Sequence, residues 1–298
     1  MNPTLGVFDS GFGGLTVLRA LMARMPSARY AFFGDTARLP YGSKSRRTIA
    51  RYAVQCAQFL VNQQGAEFLV IACNTASALA LDAIQEAVPV PVLGVIEPGA
   101  EAALAAARSG DVLVIATDAT VQSHAYSAAC RARGLRALEK ACPLLVPLVE
   151  EGWTGDLASA GVATRTNAVQ AASAPPLLAP QAAVTSEVIR IYLAELTAEA
   201  AALGMNPDTL VLGCTHYPLL RPLIERAVPA GMRVIDSAEA TAEAAMKLFC
   251  PQESTKESPS AQDQVRCFAT DSVEKFERLG SRFLNRPTGK VELVDLGG

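Results

Sequence analysis

Two stretches of this chain repeat one another. "LVIACNTASALALDAIQEAVP" (69–89) and "LVLGCTHYPLLRPLIERAVP" (210–229) each carry a short apolar run, a cysteine at its end, a threonine within two residues, a segment of helical period and a closing Ala-Val-Pro. Each continues into another apolar run ending in isoleucine and an acid, Ile96-Glu97 and Ile235-Asp236. "GVFDSG" near the start has a partner in "LVIATDAT" (113–120), where an aspartate again follows a strand. A continuous apolar run feeding a helix is the βα step of a parallel sheet buried on both faces. Its duplication predicts two similar halves with Cys73 and Cys214 in corresponding places. If the halves face each other, the two thiols flank one cleft.

The rest of the chain keeps this rhythm. Strands are expected at 5–8, 30–34, 68–72, 92–96, 112–117, 210–213 and 233–235, and helices at 15–25, 46–63, 77–87, 98–107, 122–133 and 186–203. The expected fold is α/β: two similar, pseudo-symmetric domains, each a mainly parallel sheet flanked by helices, with the active site in the cleft between them. The first domain is expected to comprise 1–97 and 237–298, the second 98–236. Two stretches break the pattern. Residues 155–183 are rich in Ala, Ser, Thr and Pro and read as an insertion, while 252–264 are polar and breaker-rich and read as a connector. Neither is expected to hold a site.

Composition narrows the function classes. The 298 residues, half of them apolar, suffice for a large core. Seven cysteines form no CxxC pair and are odd in number, so they read as reduced thiols in a cytoplasm. A net charge of −3 with mixed signs offers no basic stripe for nucleic acid. No apolar run approaches the roughly 20 residues of a membrane span, and "MNPTLGVFDSG" opens without a basic stretch ahead of an apolar core. No membrane segment, export signal or regulatory N-terminal leader is therefore expected. The remaining partner class is a small molecule bound at the carboxyl ends of the strands, where the βα turns gather.

Both repeated cysteines stand where a strand gives way to a helix, a position that lowers a thiol from its free value of about 8.5 and favours the thiolate. Two acid/base groups of one kind on opposite sides of a carbon suit one reaction well: taking a proton from one face and delivering another to the opposite face, which is racemisation.

The residues also carry a family resemblance. "GVFDSGFGGLTVLRAL", "FFGDTARLPYGSKS", "VIACNTASALAL", "CPLLVPLVEEG", "VLGCTHYPLL", "VIDSAEATA" and the tail "CFATDSVEKFERLGSRFL", in that order, resemble the glutamate racemases, cofactor-independent enzymes that make D-glutamate for bacterial peptidoglycan. The resemblance covers nearly the whole chain except 155–183 and 252–264. It implies an isomerase acting on L- and D-glutamate without cofactor or metal, cytoplasmic, with a homodimer expected. It further implies that Cys73 and Cys214 are the two bases, the first serving the D-enantiomer and the second the L-enantiomer. The other catalytic assignments it implies are Asp9 beside Cys73, and His216 and Glu150 beside Cys214. Substrate contacts are implied at Asp9, Ser10, Tyr41 and Gly42. Asn74-Thr75 and Thr215-His216 directly follow the cysteines and carry hydroxyl, amide and backbone N–H groups suited to gripping carboxylates, and Thr117 and Thr120 are candidates for the cleft wall.

Plainer readings stand beside several of these. Asp9 would serve as a helix N-cap, and "LPYGS" as a structural turn. Glu150 and Glu151 compete for one role. His124 reads as structural, as do the other five cysteines. The glycines of "DSGFGG" do not make a dinucleotide fingerprint, because Thr16 stands where the third glycine belongs. Three alternative functions remain open: a related racemase acting on aspartate or hydantoin, a hydrolase using Cys214, His216 and Glu150, and a non-enzymatic solute receptor. A zinc site of Cys73, Cys214 and His216 matches no strong ligand spacing.

Overall fold

The computed structural model describes residues 3–154, 180–249 and 264–297. Its organisation follows from two all-parallel sheets. The first has six strands, in spatial order β10 (Val291–Leu293), β9 (Val265–Ala269), β2 (Arg29–Gly34), β1 (Thr4–Asp9), β3 (Phe68–Ile71) and β4 (Val92–Gly94). The second has four: β6 (Arg136–Ala141), β5 (Asp111–Ala116), β7 (Thr209–Gly213) and β8 (Arg233–Asp236). The run β2-β1-β3-β4 in one sheet is matched by β6-β5-β7-β8 in the other. The duplicated segments thus occupy equivalent strands, β3 with β7 and β1 with β5. The central strands are mostly apolar, and β5 and β7 are buried at every residue, as parallel strands covered on both faces must be.

Helices cover both sheets. Leu15–Arg24 (α1) and Arg46–Asn62 (α2) follow the first two strands. Asn74–Leu79 (α3) and Leu81–Ala87 (α4) follow β3, Ile96–Ala106 (α5) follows β4, and Asp118–Ser123 (α6) with Ala125–Arg131 (α7) follow β5. Leu145–Glu150 (α8), Pro180–Ala202 (α9), Arg221–Ala227 (α10), Ser237–Phe249 (α11) and Val273–Leu284 (α12) complete the set. One continuous buried cluster runs from Leu5 and Val70 of the first sheet, through α1 and α11, to Leu113 and Leu212 of the second. Helix α11, which follows the last strand of the second sheet, packs on α1 and α5 and joins the halves.

The outline expected from sequence holds, with differences at the ends. Strand β4 stops at Gly94, and Ile96, expected as its last residue, opens α5. The helix expected at 77–87 begins at Asn74, directly after Cys73, and breaks at Ala80. The helix expected at 122–133 breaks at His124, which takes a left-handed conformation with φ of 54°. Most of the expected insertion lies outside the described residues, and its last residues, Pro180 to Ala183, form the first turn of α9. The connector likewise lies outside them except Gln264, whose Nε2 donates to the carbonyl of Pro26 at 2.8 Å. No helix among the described residues is long and apolar enough to cross a membrane.

Candidate active site

The carboxyl ends of β1, β3, β5 and β7, two from each sheet, converge on one cavity of about 180 Å³, smaller than the roughly 300–1,000 Å³ that drug-sized ligands occupy. Eleven of the thirteen residues singled out from sequence line it: Ser10, Tyr41, Gly42, Cys73, Asn74, Thr75, Thr117, Glu150, Cys214, Thr215 and His216. The other two stand directly behind. Thr120 is fully buried and closes a triangle of hydroxyls with Thr75 (3.3 Å) and Thr117 (3.0 Å), which are themselves 3.0 Å apart. Asp9 is buried at the end of β1, where its Oδ2 accepts from the backbone of Gly11 at 2.9 Å. The N-cap of α1 is Gly14, with no side-chain capping bond, so the N-cap reading of Asp9 does not hold.

Cys73 caps α3. Its Sγ accepts from the backbone N–H of Ala76 at 3.4 Å and donates to the hydroxyl of Ser10 at 3.4 Å. Burial and the neighbouring Asp9 nevertheless push its thiol up to about 12, outweighing the hydrogen bonds from Ser10 and Ala76. The expectation that a helix N-terminus alone would favour the thiolate is therefore overturned for Cys73. Desolvation of a buried charge costs more than these donors return. Cys214 does not stand at the start of an α-helix as expected: only a short 3₁₀ turn (Tyr217–Leu220) follows it, and no α-helix begins before Arg221. Burial also raises Asp9, against the opposing charge of His216 and the backbone donors of Gly11, Gly14 and Ser10.

Around Cys214 the partners are different. His216 Nδ1 lies 4.0 Å from Cys214 Sγ and 3.4 Å from Thr215 Oγ1, and Nε2 lies 3.4 Å from Glu150 Oε1. The last is an ion-pair contact without hydrogen-bond alignment. Burial works against the imidazolium, yet Cys214 and Glu150 outweigh it and push His216 up to about 10. Glu150 is correspondingly held below the usual carboxylate range: burial opposes its charge, but His216 and Lys275 more than compensate. Glu150, and not Glu151, is the acid that meets His216.

Glycines admit this crowding. A Cβ on Gly13 would strike Thr215 Oγ1 and come within 2.6 Å of His216 Nδ1, and one on Gly14 would come within 2.6 Å of Asp9 Cβ. "GFGG" therefore brings the first half's turn against the second half's "CTH". Opposite, Asn74 Oδ1 accepts from Tyr126 OH at 2.7 Å, which leaves Nδ2 a buried donor with no hydrogen-bond partner in the protein. The hydroxyl of Tyr41 donates to Asp35 at 2.5 Å, so it is already engaged away from a ligand. His124 is exposed, and Cys56, Cys130, Cys142 and Cys267 are buried; Cys250 lies outside the described residues. Among those residues no group of three or more His, Cys, Asp or Glu is placed to hold a metal ion.

Sequence reasoning passed over other lining residues. Gly11, Leu39, Pro40, Ser43, Asp118, Pro143, Val146 and Pro147 also line the cavity. All lie in or beside motifs already singled out, so proximity in sequence was a usable signal. Lys275, which reaches Glu150 Oε2 at 3.3 Å from 125 residues further along the chain, lies inside the quoted tail motif, but no candidate site residue neighbours it there.

The model of a family described as Asp/Glu/Hydantoin racemase matches residues 16–174. The glutamate racemase of Koribacter versatilis (strain Ellin345) is 48% identical over all of this chain and 99% of its own. Among solved structures, glutamate racemase from Bacillus anthracis superposes with a TM-score of 0.81 at 33% identity, covering 99% of this chain and 98% of that one. The enzyme from Francisella tularensis in complex with D-glutamate gives 0.79 at 32% identity, with the same coverage.

Proposed function

Because the chain belongs to the Asp/Glu/Hydantoin racemase family and is an amino-acid racemase of the glutamate racemase kind, we propose that it interconverts L- and D-glutamate by proton exchange between Cys73 and Cys214. The observation that carries this reading is the pairing of the two thiols. They end equivalent strands of two different sheets, and both line one cavity.

In one direction the sulfur of Cys214, as thiolate, takes the α-proton of L-glutamate while the Cys73 thiol delivers its own to the opposite face. In the reverse direction Cys73 is the base and Cys214 the acid. The demanding step is charge development at the α-carbon, since no cofactor is invoked to delocalise it. Catalysis therefore depends on groups already aimed at the substrate in a site with little water. The unpartnered Nδ2 of Asn74 and the Thr75, Thr117 and Thr215 hydroxyls would receive the carboxylates. Asp9 would balance the ammonium beside Cys73, and His216 would hold the proton that Cys214 gains or loses, with Glu150 stabilising its imidazolium. Ser10 and Gly42 complete the walls, and Tyr41 contributes without its hydroxyl. On this reading the enzyme is a cytoplasmic homodimer whose D-glutamate goes to peptidoglycan. Its domains comprise 1–97 with 237–298, and 98–236.

Circular dichroism of L- or D-glutamate incubated with the protein tests the proposal. The optical signal should decay to zero from either enantiomer, and Cys73→Ser and Cys214→Ser should each abolish the decay. In D₂O the product enantiomer should carry deuterium at the α-carbon, and activity should survive dialysis against chelator and carbonyl reagents. An unchanged signal from both enantiomers with wild-type protein would refute it, and equal turnover of aspartate would refute the substrate choice.

A further inference from the structure

The C-terminal helix α12 belongs to the first sheet, between β9 and β10, yet three of its side chains reach across to the second half. The ring of Phe283 stands edge-on to His216, with centroids 5.1 Å apart. Arg282 lies against Gly152, where an added Cβ would meet its Nη1 at 2.5 Å. Lys275 Nζ donates to Glu150 Oε2 at 3.3 Å and stands 5.5 Å from the ring centroid of Phe12. Glu150 thus bridges two cations, Lys275 on one carboxylate oxygen and His216 on the other at 3.4 Å.

We propose that Lys275 is a positioning residue of this site: its ammonium pins the Glu150 carboxylate so that the second oxygen faces His216. The proposal rests on the racemase reading for its purpose but not for its geometry. The Glu150–His216 contact, at 3.4 Å, lacks full hydrogen-bond alignment, so by itself it holds the carboxylate's orientation only weakly. Helix α8 is short and ends at Glu150 itself, and the side chain is largely buried between His216 and Lys275. The Lys275 bond supplies the missing constraint. The charged and titratable groups facing the pair are Lys275 from α12, Cys214 beside His216, and Asp9 from the end of β1.

The sign of one measurement separates positioning from simple proximity of charge. Removing a nearby cation by itself favours the imidazolium and raises the titration midpoint of His216. Releasing Glu150 from its orientation disfavours the imidazolium and lowers it. The chain has two histidines, so the full-length protein labelled with ¹⁵N-histidine gives a readable titration, with exposed His124 as the internal reference. Lys275→Met should lower the His216 midpoint by roughly one pH unit, Lys275→Arg should restore it, and glutamate racemisation should fall and recover in parallel. In a Glu150→Gln background, Lys275→Met should move the midpoint no further down, because the route through the carboxylate is gone. A midpoint unchanged or raised in Lys275→Met, or lowered again in the Glu150→Gln background, would overturn the proposal. The titration requires no turnover, so a failed racemisation assay of the wild-type protein stays distinguishable from failure of this inference.

Discussion

Adding one methyl group at Gly13 should disable the site while leaving the fold in place. The glycine does not sit at positive φ, so alanine is tolerated by the backbone and the cost is steric. The new Cβ would overlap Thr215 Oγ1 and lie 2.6 Å from His216 Nδ1 and 2.8 Å from Cε1, where ordinary contact starts near 3.4 Å. The imidazole must therefore retreat by roughly 0.8 Å. It cannot do so freely, because Phe283 stands edge-on to its ring, Glu150 Oε1 lies 3.4 Å from Nε2 and Cys214 Sγ 4.0 Å from Nδ1. Overpacking of this kind costs about 1–3 kcal/mol, a fall in Tm of several degrees at about 2–4 °C per kcal/mol. A misplacement near 1 Å of a group working beside a reacting atom costs on the order of 100-fold in rate. Gly13→Ala should thus lower kcat/KM about 100-fold by the polarimetric assay. Because enantiomers have equal free energies, kcat/KM must fall equally in the two directions. Gly11→Ala, whose Cβ would meet only Leu39 Cδ2 at 3.4 Å, should keep the wild-type Tm. Retention of wild-type kcat/KM within twofold in Gly13→Ala would refute the crowding argument.

Two further outcomes follow from buried charge. His216 is raised from 6.5 to about 10, so its contribution to stability is complete below pH 6.5 and is lost as pH rises through about 10. Cys73, raised from 9.0 to about 12, stays protonated when folded but ionises at lower pH when unfolded, so stability falls again between pH 9 and 12. Tm measured from pH 6 to 11 should decline throughout, and His216→Asn should flatten the decline below pH 9; a rising Tm would contradict the sign. Asp35 is fully buried and accepts from Arg38 Nε (2.9 Å), Tyr41 OH (2.5 Å) and Thr270 Oγ1 (2.9 Å). Asp35→Asn should cost about 3 kcal/mol by urea titration, because the Arg38 cation loses its counter-charge and one amide hydrogen must face a donor; a cost below about 1 kcal/mol would show that the network is dispensable.

The duplicated units were legible because their chemistry is concentrated in strands buried on both faces, where apolar runs are unbroken and cysteine, threonine and glycine fall at the ends. Strand β6 ("RALEKA") was not, because it is an edge strand of intermediate burial whose Arg, Glu and Lys break the apolar signal. Strands β9 ("VRCFA") and β10 ("VEL") lie in the tail beyond the polar connector, and at five and three residues they are too short to stand out before the sheet that receives them is known. The site residues were found where motif and strand end coincide. Their electrostatics were not, since the upward push on Cys73 comes from burial and from Asp9, two consequences of packing. Lys275 was invisible for the same reason: α12 shows a strongly amphipathic pattern, but its polar face does not reveal which charge it meets.

The buried cluster that unites the two sheets also limits how a ligand can enter. Leu15, Leu18 and Leu21 of α1 and Ala238, Ala242 and Ala245 of α11 belong to it. Pulling the halves apart would wet them, at roughly 1.5–3 kcal/mol for each large side chain uncovered. The molecule is in this sense a book with a glued spine, whose covers can tilt but not separate. The cavity is bounded as well by Leu39, Pro40 and Ser43 and by Val146 and Pro147 of α8. The strand ends carrying the two sulfurs are thereby anchored, one in each sheet, on either side of the shared spine.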